Sequence, residues 1–453
     1  MTAASGKKTM KEMRLTRGEA VSTNVTAISS KSYVHRLIIA AALYSKEPVT
    51  VVTNIMSADM EATVRVICAL GGLITTKTAA SGEYEITVAA PLGAKIITHA
   101  VLDCGESGST ARFVLPFASL FADEAVITGS GRLPERPMEP LCDVMSTAGV
   151  FVSAGKLPIT VRGKMRPGRY EIAGNVSSQY ISGLLFALPL LGGSSVLSVT
   201  GTFESAAYVD MTVDVLKKFG ANIKRSGNDF YIDPPGPCPG HAMVYAEGDW
   251  SNAAYIMAIA ALSCGRSFDS LTIDGLDPDS IQGDRAVAGI MKEFGVEERT
   301  VRSADGSSDY VISGNPVKPV DVDCSQIPDL VPALAVVAAY AGGESIFRNV
   351  GRLRMKECDR IEAVTSLLAA VDVKVDITLH DGVEDMTVYG KGGNSPAVHE
   401  ITVDSFNDHR IAMAACALAA AEPVPVVIKD PMAVNKSYPG FYDVIEKLGI
   451  VRS

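Results

Sequence analysis

A repeated pattern, a short polar cluster followed at once by a helix-length apolar segment, is the feature of this chain that most restricts its fold. The pattern occurs six times, with starts roughly 70 to 80 residues apart, which is typical of an internal repeat. Ser, Asn and Asp are frequent in the clusters, and these residues cap helix N-termini. Because the segments are apolar on nearly every face, they are predicted to be buried helices. The copies begin at Ser29, Gly105, Ser177, Asp249, Ser325 and Ser405.

Each predicted helix start is a potential anion site. The N-terminus of a helix has unpaired N–H groups and a partial positive charge, and both attract anions. If several of these starts converge, they form a pocket for a ligand with several negative charges.

A second set of segments alternates with the first. These segments have the apolar period of amphipathic helices, as in 287–294, where apolar residues fall at i, i+3, i+4 and i+7. Gly295 follows that segment where a left-handed C-cap would end the helix. Short alternating runs such as 84–90 predict strands. Six such units in two groups of three predict an α/β fold with two similar domains.

The predicted break between the domains follows the third unit. The stretch 233–241 is the densest in Pro and Gly, and it ends just before the fourth apolar segment. We therefore expect a first domain over 29–245 and a second over 246–453. The N-terminal residues 1–28 contain strand-like runs that we assign to the second domain. The chain would then cross twice between the domains and leave a cleft between them.

Composition excludes several classes of protein. With 453 residues, 47% of them hydrophobic, the chain can form two cores. The longest apolar runs are about a dozen residues, short of the roughly 18 that a membrane span needs. The polar N-terminus lacks the apolar core of a signal peptide, so a cytoplasmic protein is predicted.

Charge and metal-ligand residues narrow the function further. The net charge of −10 argues against a general nucleic-acid binder. Eight Cys occur singly without a CxxC pair, which favours reduced thiols over disulfides or zinc sites. Six His show no metal-ligand spacing.

Cations stand at the starts of the predicted buried helices in both halves of the chain. Lys31 and Arg36 open the first, where burial is costly unless they face a ligand or a carboxylate. Gly108 lies where a backbone could approach a phosphate, although no Walker loop occurs in the chain. Each cluster alone could be a helix cap, a turn or a solvated ion-pair network. Chance surface charge does not follow a repeat, so a shared anion site is favoured. Further residues of these clusters are Arg112, Arg132, Arg136, Arg352, Arg354, Lys356, Glu357, Asp359 and Arg360.

An ordered set of motifs resembles the 5-enolpyruvylshikimate-3-phosphate synthase family. The motifs are SKSxxxR, GESGSTAR, RLPERPM, SSQ, EGDWSNAAY, IPD, RxKECDR, NDHR and DPxxxxKSYPGF, from about Met13 to Leu448. The resemblance implies two domains, each a threefold repeat with buried parallel helices (an inside-out α/β barrel), and an active site in the interdomain cleft. It also implies transfer of the enolpyruvyl group of phosphoenolpyruvate to the 5-hydroxyl of shikimate 3-phosphate, a step toward chorismate and the aromatic amino acids.

The resemblance also implies ligand sets for both substrates. Shikimate 3-phosphate would contact Lys31, Ser32, Arg36, Ser177, Ser178, Gln179, Ser205, Asp329 and Lys356, with Tyr208 nearby. Phosphoenolpyruvate would contact Lys31, Gly108, Arg132, Gln179, Arg360, Arg410 and Lys436. Arg suits both phosphate and carboxylate because it binds them in a bidentate fashion.

The implied reaction is an addition followed by an elimination through a tetrahedral intermediate. Asp329 would accept the proton of the 5-hydroxyl, and Glu357, helped by Lys356 or Lys31, would manage the proton at the methylene carbon. No metal or organic cofactor is expected, because phosphate is the leaving group and Arg and Lys balance its charge. We expect a monomer with small-molecule substrates, no nucleic-acid or membrane partner, and closure of the cleft on binding.

The chain departs from the family's familiar bacterial form at three positions. Glu106 stands where Asn is common, Ser109 where Thr is common, and Arg352 where Asn is frequent. These differences leave sensitivity to phosphonate inhibitors open.

Three alternatives stay open on the sequence. A UDP-N-acetylglucosamine enolpyruvyl transferase shares the fold and the donor, but it typically carries a reactive Cys in a loop where GRLPERP stands here, and Cys142 falls inside the next helix. An RNA 3′-phosphate cyclase would need a nucleotide-accepting His, for which His409 is the candidate. A non-catalytic anion binder would gain nothing from Asp329 and Glu357.

Overall fold

The computed structural model describes residues 10–302, 308–392 and 397–453. Over these ranges the chain forms twelve α-helices and 24 strands. Six helices carry the apolar segments: α1 (Lys31–Tyr44), α3 (Gly108–Phe121), α5 (Ser178–Ala187), α7 (Trp250–Ser263), α9 (Val331–Tyr340) and α11 (His409–Ala421). The other six alternate with them: α2 (Ala58–Ala69), α4 (Glu139–Thr147), α6 (Ala206–Lys218), α8 (Val287–Glu293), α10 (Arg360–Ala369) and α12 (Phe441–Lys447).

Burial separates the two sets of helices. Every residue of α7, α9 and α11 is buried, and so is every residue of α1 after Ser32. The alternating helices bury one face; in α8 that face holds Val287, Ile290 and Met291. A helix that is apolar all round must be covered on all sides, whereas an amphipathic helix covers a core and faces water. The prediction of buried helices alternating with amphipathic ones is confirmed.

Contacts divide the chain into two compact units. The first lobe comprises Ile28–Asp249 and Asp279–Gly283, and the second comprises the described parts of Met1–Ala27, Trp250–Pro278 and Asp284–Ser453. The short segment Asp279–Gly283 belongs to the first lobe because Gln282 donates hydrogen bonds to the side chain of Glu247 and to the carbonyl of Gly248.

The first lobe contains three four-stranded sheets. The strands of the first sheet are, in spatial order, β14 (Met243–Tyr245), β3 (Val49–Thr53), β5 (Tyr84–Ala90) and β4 (Leu73–Thr78). Those of the second are β6 (Ile97–Asp103), β7 (Ala122–Thr128), β9 (Ile159–Arg162) and β8 (Phe151–Val152). Those of the third are β10 (Arg169–Ala173), β11 (Ser195–Thr200), β13 (Asp229–Asp233) and β12 (Asn222–Ser226).

The second lobe repeats this arrangement. The strands of its first sheet are, in spatial order, β16 (Glu297–Arg302), β17 (Ser308–Ser313), β15 (Ser270–Asp274) and β2 (Asn24–Thr26). Those of the second are β18 (Asp321–Asp323), β19 (Gly342–Arg348), β21 (Val383–Lys391) and β20 (Val375–His380). Those of the third are β22 (Ile401–Asp404), β23 (Val426–Lys429), β1 (Glu12–Arg17) and β24 (Ile450–Arg452).

All six sheets share one pairing scheme, in which a parallel pair at one edge is followed by two antiparallel pairs. In four sheets a buried helix joins the two parallel strands, as α3 joins β6 to β7. In the other two the partners are exchanged: β2 precedes α1 but pairs with β15, and β14 precedes α7 but pairs with β3. The predicted α/β class with six repeated units is confirmed. Within the described ranges, no helix has both the length and the apolar composition of a membrane span.

Candidate active site

In the first lobe, the predicted ligands gather at the starts of α1, α3, α5 and α6. Ser107 caps α3 by accepting a hydrogen bond from Thr110 N, and Ser177 caps α5 by accepting one from Gln179 N. At α1, Asp249 Oδ2 accepts from Lys31 N at 3.1 Å. Ser205 precedes α6 in a left-handed conformation with φ 51°. Ser107, Ser177 and Asp249 therefore act as caps of α3, α5 and α1.

Lys31 has a carboxylate partner that the sequence did not single out. Its Nζ lies 2.7 Å from Asp59 Oδ2, and the two side chains are 15% and 13% exposed. Asp59 lies in the first turn of α2. An acid is common in a first turn because its negative charge is stabilised by the helix dipole, so nothing in the sequence pattern points to this pair.

Arg36 is almost fully buried, with 2% of its surface exposed. Its Nε donates to Thr212 Oγ1 at 2.8 Å, Nη1 to the carbonyl of Ser32 at 2.7 Å and Nη2 to the carbonyl of Tyr208 at 2.8 Å. Burial lowers the pKa of Arg36 to about 10, so the guanidinium stays charged at neutral pH. Arg36 thus ties α1 to α6 and fixes the positive charge beneath Ser32.

The starts of α3 and α5 are linked through Gln179. Its Oε1 accepts from Arg112 Nη1 at 2.9 Å, and its Nε2 donates to Ser109 Oγ at 2.9 Å. A Cβ on Gly108 would lie 2.6 Å from guanidinium nitrogens of both Arg112 and Arg136. Only glycine therefore fits at this position without moving two arginines. The sequence motifs contain both arginines, but neither was among the expected ligands.

The other predicted residues of this lobe lie on the same helix starts or nearby. Ser32 is in the first turn of α1, and Ser178 is the first residue of α5. Arg132 is exposed, and its Nε lies 3.6 Å from Glu135 Oε2. Arg132 is thus free to turn toward a ligand, because this exposed ion pair holds it only weakly.

In the second lobe, Asp329 is surrounded by three predicted cations. Asp329 Oδ1 lies 2.8 Å from Arg360 Nη1 and 3.2 Å from Lys356 Nζ, and Oδ2 lies 3.0 Å from Arg410 Nη2. Asp329 belongs to a one-turn 3₁₀ segment, Pro328–Leu330, that leads into α9. Burial opposes ionisation of this carboxyl group, but the three cations outweigh burial and hold the pKa of Asp329 well below its usual value.

Arg360 joins three carboxylates although its side chain is only 1% exposed. Besides Asp329 it contacts Glu357 Oε2 at 2.6 Å and Asp408 Oδ2 at 2.8 Å. Burial opposes the charge on Arg360, but these carboxylates outweigh burial and raise its pKa well above the usual value. Asp408 also caps α11 through Arg410 N. It lies in the NDHR motif, but it was not among the expected site residues.

Lys356 and Lys436 complete the predicted set. Burial lowers the pKa of Lys356, and Asp329 opposes that effect. Lys436 Nζ donates to the carbonyl of Asn407 at 2.6 Å, which places it beside the start of α11. In this lobe the cations and both predicted catalytic carboxylates, Asp329 and Glu357, therefore lie in one cluster or at its edge. Such a cluster can bind an anion and move a proton at the same place.

A metal site has no basis in the described part of the chain, where no three His, Cys, Asp or Glu side chains are grouped so that they could hold an ion. All eight cysteines lie within the described ranges, and all are free thiols.

Comparison with known protein families decides the assignment. The family model of EPSP synthase (3-phosphoshikimate 1-carboxyvinyltransferase) matches residues 15–445. The chain belongs to the EPSP synthase family.

Individual relatives support the same family. The chain is 38% identical over 432 residues to a 3-phosphoshikimate 1-carboxyvinyltransferase of Clostridium kluyveri, with 93% of each chain covered. It is 33% identical over 445 residues to the protein of that name from Methanoculleus marisnigri, with 97% of this chain and 100% of that protein covered.

Solved structures agree on the fold. The EPSP synthase from Acinetobacter baumannii superposes with a TM-score of 0.75 at 23% identity and covers 98% of this chain and 99% of its own. The enolpyruvyl transferase NikO from Streptomyces tendae gives a TM-score of 0.70 at 17% identity, with 98% of each chain covered. At these identities the similarity shows the fold alone, and it agrees with the predicted EPSP synthase architecture.

Proposed function

We propose that this chain transfers the carboxyvinyl group of phosphoenolpyruvate to the 5-hydroxyl of shikimate 3-phosphate and releases phosphate. It is a transferase of the shikimate pathway, and its substrates are small molecules. The observation that carries the proposal is the Asp329 cluster of a chain that matches the EPSP synthase family over residues 15–445. A carboxylate held by three cations provides both a base and the charges that bind an anionic donor.

Shikimate 3-phosphate is assigned to the helix starts of the first lobe. Three caps and two cations support this part, because hydroxyls and helix N–H groups bind a sugar-like ring and its phosphate. The proposed ligands are Lys31, Ser32, Arg36, Ser177, Ser178, Gln179, Ser205, Asp329 and Lys356.

Phosphoenolpyruvate is assigned to the arginine-rich helix starts. The crowding of two guanidinium groups around Gly108 supports a site for a phosphate or carboxylate in the first lobe. The proposed ligands are Lys31, Gly108, Arg132, Gln179, Arg360, Arg410 and Lys436.

The proposed chemistry uses the two carboxylates in succession. In the addition step Asp329 takes the proton of the 5-hydroxyl while the oxygen bonds to C2 of phosphoenolpyruvate. Glu357 gives a proton to the methylene carbon, which yields a tetrahedral intermediate with a methyl group. In the elimination step the methyl group returns a proton to Glu357 and the electron pair of that C–H bond forms the new double bond, while phosphate leaves with the electron pair of its C2–O bond and takes up the proton held by Asp329. Lys356 and Lys31 balance the charges that develop.

The rival acceptor, UDP-N-acetylglucosamine, is less well supported. Cys142 is buried in α4 with 4% exposure, and burial raises the pKa of its thiol to about 12. A thiol in this state is a poor nucleophile at neutral pH. The turn that carries Arg132 contains no cysteine.

Phosphate release distinguishes the two acceptors. Purified protein is incubated with phosphoenolpyruvate and either shikimate 3-phosphate or UDP-N-acetylglucosamine, and inorganic phosphate is measured over time. We expect turnover with shikimate 3-phosphate and none with the second acceptor. Turnover with UDP-N-acetylglucosamine alone would overturn the proposal.

We also propose that the protein works as a monomer in the cytoplasm. The eight free thiols support a reducing compartment.

A further inference from the structure

Beneath the cations of the first lobe lies a buried chain of side chains that the proposed chemistry does not use. His35 Nδ1 is 2.6 Å from Thr63 Oγ1, which is 2.7 Å from Thr110 Oγ1, which is 2.8 Å from Ser107 Oγ. None of the four residues is more than 1% exposed. The chain crosses from α1 through α2 to the cap of α3, so it links α1 and α3, whose starts carry proposed ligands, through α2.

The chain also closes back on Lys31. Thr110 Oγ1 lies 3.5 Å from the carbonyl of Asp59, whose carboxylate pairs with Lys31 Nζ at 2.7 Å. Lys31 and His35 are one helical turn apart on α1. Lys31 therefore pairs with an acid of α2, the helix that Thr63 links to His35 of α1 and to Thr110 of α3.

A similar series of hydrogen bonds starts from Arg36 on another side of α1. There Arg36 Nε donates to Thr212 of α6, and Thr212 Oγ1 is 2.7 Å from Ser182 Oγ of α5. On both flanks, a polar side chain of α1 reaches a threonine of an amphipathic helix and then a hydroxyl of the next buried helix. His35 plays on one flank the part that Arg36 plays on the other.

The contacts of His35 assign its proton. Nε2 is buried and has no hydrogen-bond partner among the described residues. A proton on Nε2 would leave a buried donor unsatisfied, so the neutral ring carries its proton on Nδ1 and donates to Thr63. Thr63 can then donate to Thr110, whose single hydroxyl proton serves either Ser107 or the carbonyl of Asp59. Burial, followed by the charges of Lys31 and Arg36, lowers the pKa of His35 well below its usual value, in agreement with a neutral ring.

We propose that His35 is a positioning residue for the phosphoenolpyruvate site. Through Thr63 and Thr110 it fixes α2 and the first turn of α3 relative to α1. It thereby holds Asp59, which orients Lys31, and the start of α3 at Gly108. This inference rests on the proposed function, since it concerns the donor site of that reaction.

Two substitutions of His35 separate positioning from packing. His35→Leu fills the volume but cannot bond to Thr63, whereas His35→Asn places an amide nitrogen where Nδ1 lies. For His35→Leu we expect KM for phosphoenolpyruvate to rise about tenfold, the effect of losing one buried hydrogen bond, and kcat to change less than about threefold. For His35→Asn we expect both constants within about threefold of the wild type.

Two further variants protect the test against misfolding. Thr63→Val is nearly isosteric and breaks the same chain, so its KM should rise in the same direction as that of His35→Leu. In the double variant, KM for phosphoenolpyruvate should rise by less than the two single effects combined, because both substitutions break the same hydrogen-bonded chain. Ser119→Ala is the matched control: Ser119 is buried on α3 and its hydroxyl has no partner among the described residues, so the kinetic constants should not change.

Each result is decisive. A folded His35→Leu or Thr63→Val protein with KM for phosphoenolpyruvate within twofold of the wild type overturns the inference, and so does a His35→Asn protein as impaired as His35→Leu. If His35→Leu does not fold, Thr63→Val decides alone. A wild-type protein without turnover would instead refute the proposed function, and the inference with it.

Discussion

At the scale of single residues, the charge of Asp329 raises a chemical question. Its three cationic neighbours hold the pKa of the carboxyl group well below its usual value. Such a carboxylate is a weak base, because the same charges that stabilise the ionised form resist its protonation. The proposed substrates bring phosphate and carboxylate groups to these cations. In the proposed complex, the substrate anions pair with Arg360, Arg410 and Lys356 and offset the positive potential at Asp329. The pKa of Asp329 then rises, and its carboxylate becomes a stronger base.

Asp329→Asn tests this role. The amide keeps the size and an acceptor oxygen for the surrounding cations but accepts no proton, so kcat should fall by about 100-fold or more. The dissociation constant of shikimate 3-phosphate, measured by calorimetry, should stay within about fivefold, since a negative charge is removed near an anion. Asp376→Asn, in an exposed ion pair with Lys374, is the control and should leave kcat unchanged. A kcat of the Asp329 variant close to that of the wild type would contradict the role.

Residue types alone predicted part of the candidate site and missed other residues for a physical reason. Lys31 and Arg36 are conspicuous because buried charge at the start of an apolar helix is costly, whereas Asp329 was expected only from the family resemblance. Asp59 and His35 are not conspicuous, because an acid in a first turn and a buried histidine each have ordinary explanations. The roles proposed for them depend on distances between helices, which one sequence does not contain.

At the scale of elements, the buried helices approach one another closely where a side chain is absent. A Cβ on Gly183 of α5 would collide with the carbonyl oxygen of Arg112 and lie 3.2 Å from Pro116 of α3. This contact sets the spacing of two helices whose starts carry Gly108 and Gln179. The apolar pattern predicted both helices, but it did not predict that they touch at Gly183, because periodicity describes the face of one helix and not its partner.

Gly183→Ala should therefore destabilise the protein by about 1–3 kcal/mol, the usual effect of overpacking against backbone. Urea denaturation measures this loss. Gly289→Ala on α8 is the matched control, because a Cβ there meets nothing within 4 Å. That change should leave the free energy of unfolding equal or raise it by up to about 1 kcal/mol. Equal stabilities of the two variants would show that α3 and α5 do not depend on this contact.

At the scale of the whole molecule, the sequence repeat predicted the class of fold because it is a repeat of structure. Six polar-to-apolar transitions became six buried helices, and each unit acquired a sheet with the same pairing scheme. Nothing in the local sequence of β2 or β14 indicates that these strands exchange places between equivalent sheets. Strands of three residues are too short for periodicity, and their partners are chosen by the completed sheet.

The protein and its proposed substrates both carry net negative charge, so the rate at which they associate should depend on salt. A net charge of −10 repels phosphoenolpyruvate at long range, whereas the cations at the helix starts attract it at short range. The Debye length falls from about 20 Å to about 7 Å between roughly 20 and 200 mM salt, so added salt weakens both the repulsion by the net charge and the attraction by the cations at the helix starts, and the sign of the change shows which of the two governs association. If the local cations dominate, kcat/KM for phosphoenolpyruvate should fall by about threefold to tenfold over this range, while kcat changes less than about twofold. Steady-state kinetics in KCl, with sucrose as a non-ionic control, measure the effect. A rise of kcat/KM with salt would show that the net charge governs binding, and the clusters at the helix starts would lose their proposed role in attracting the substrate.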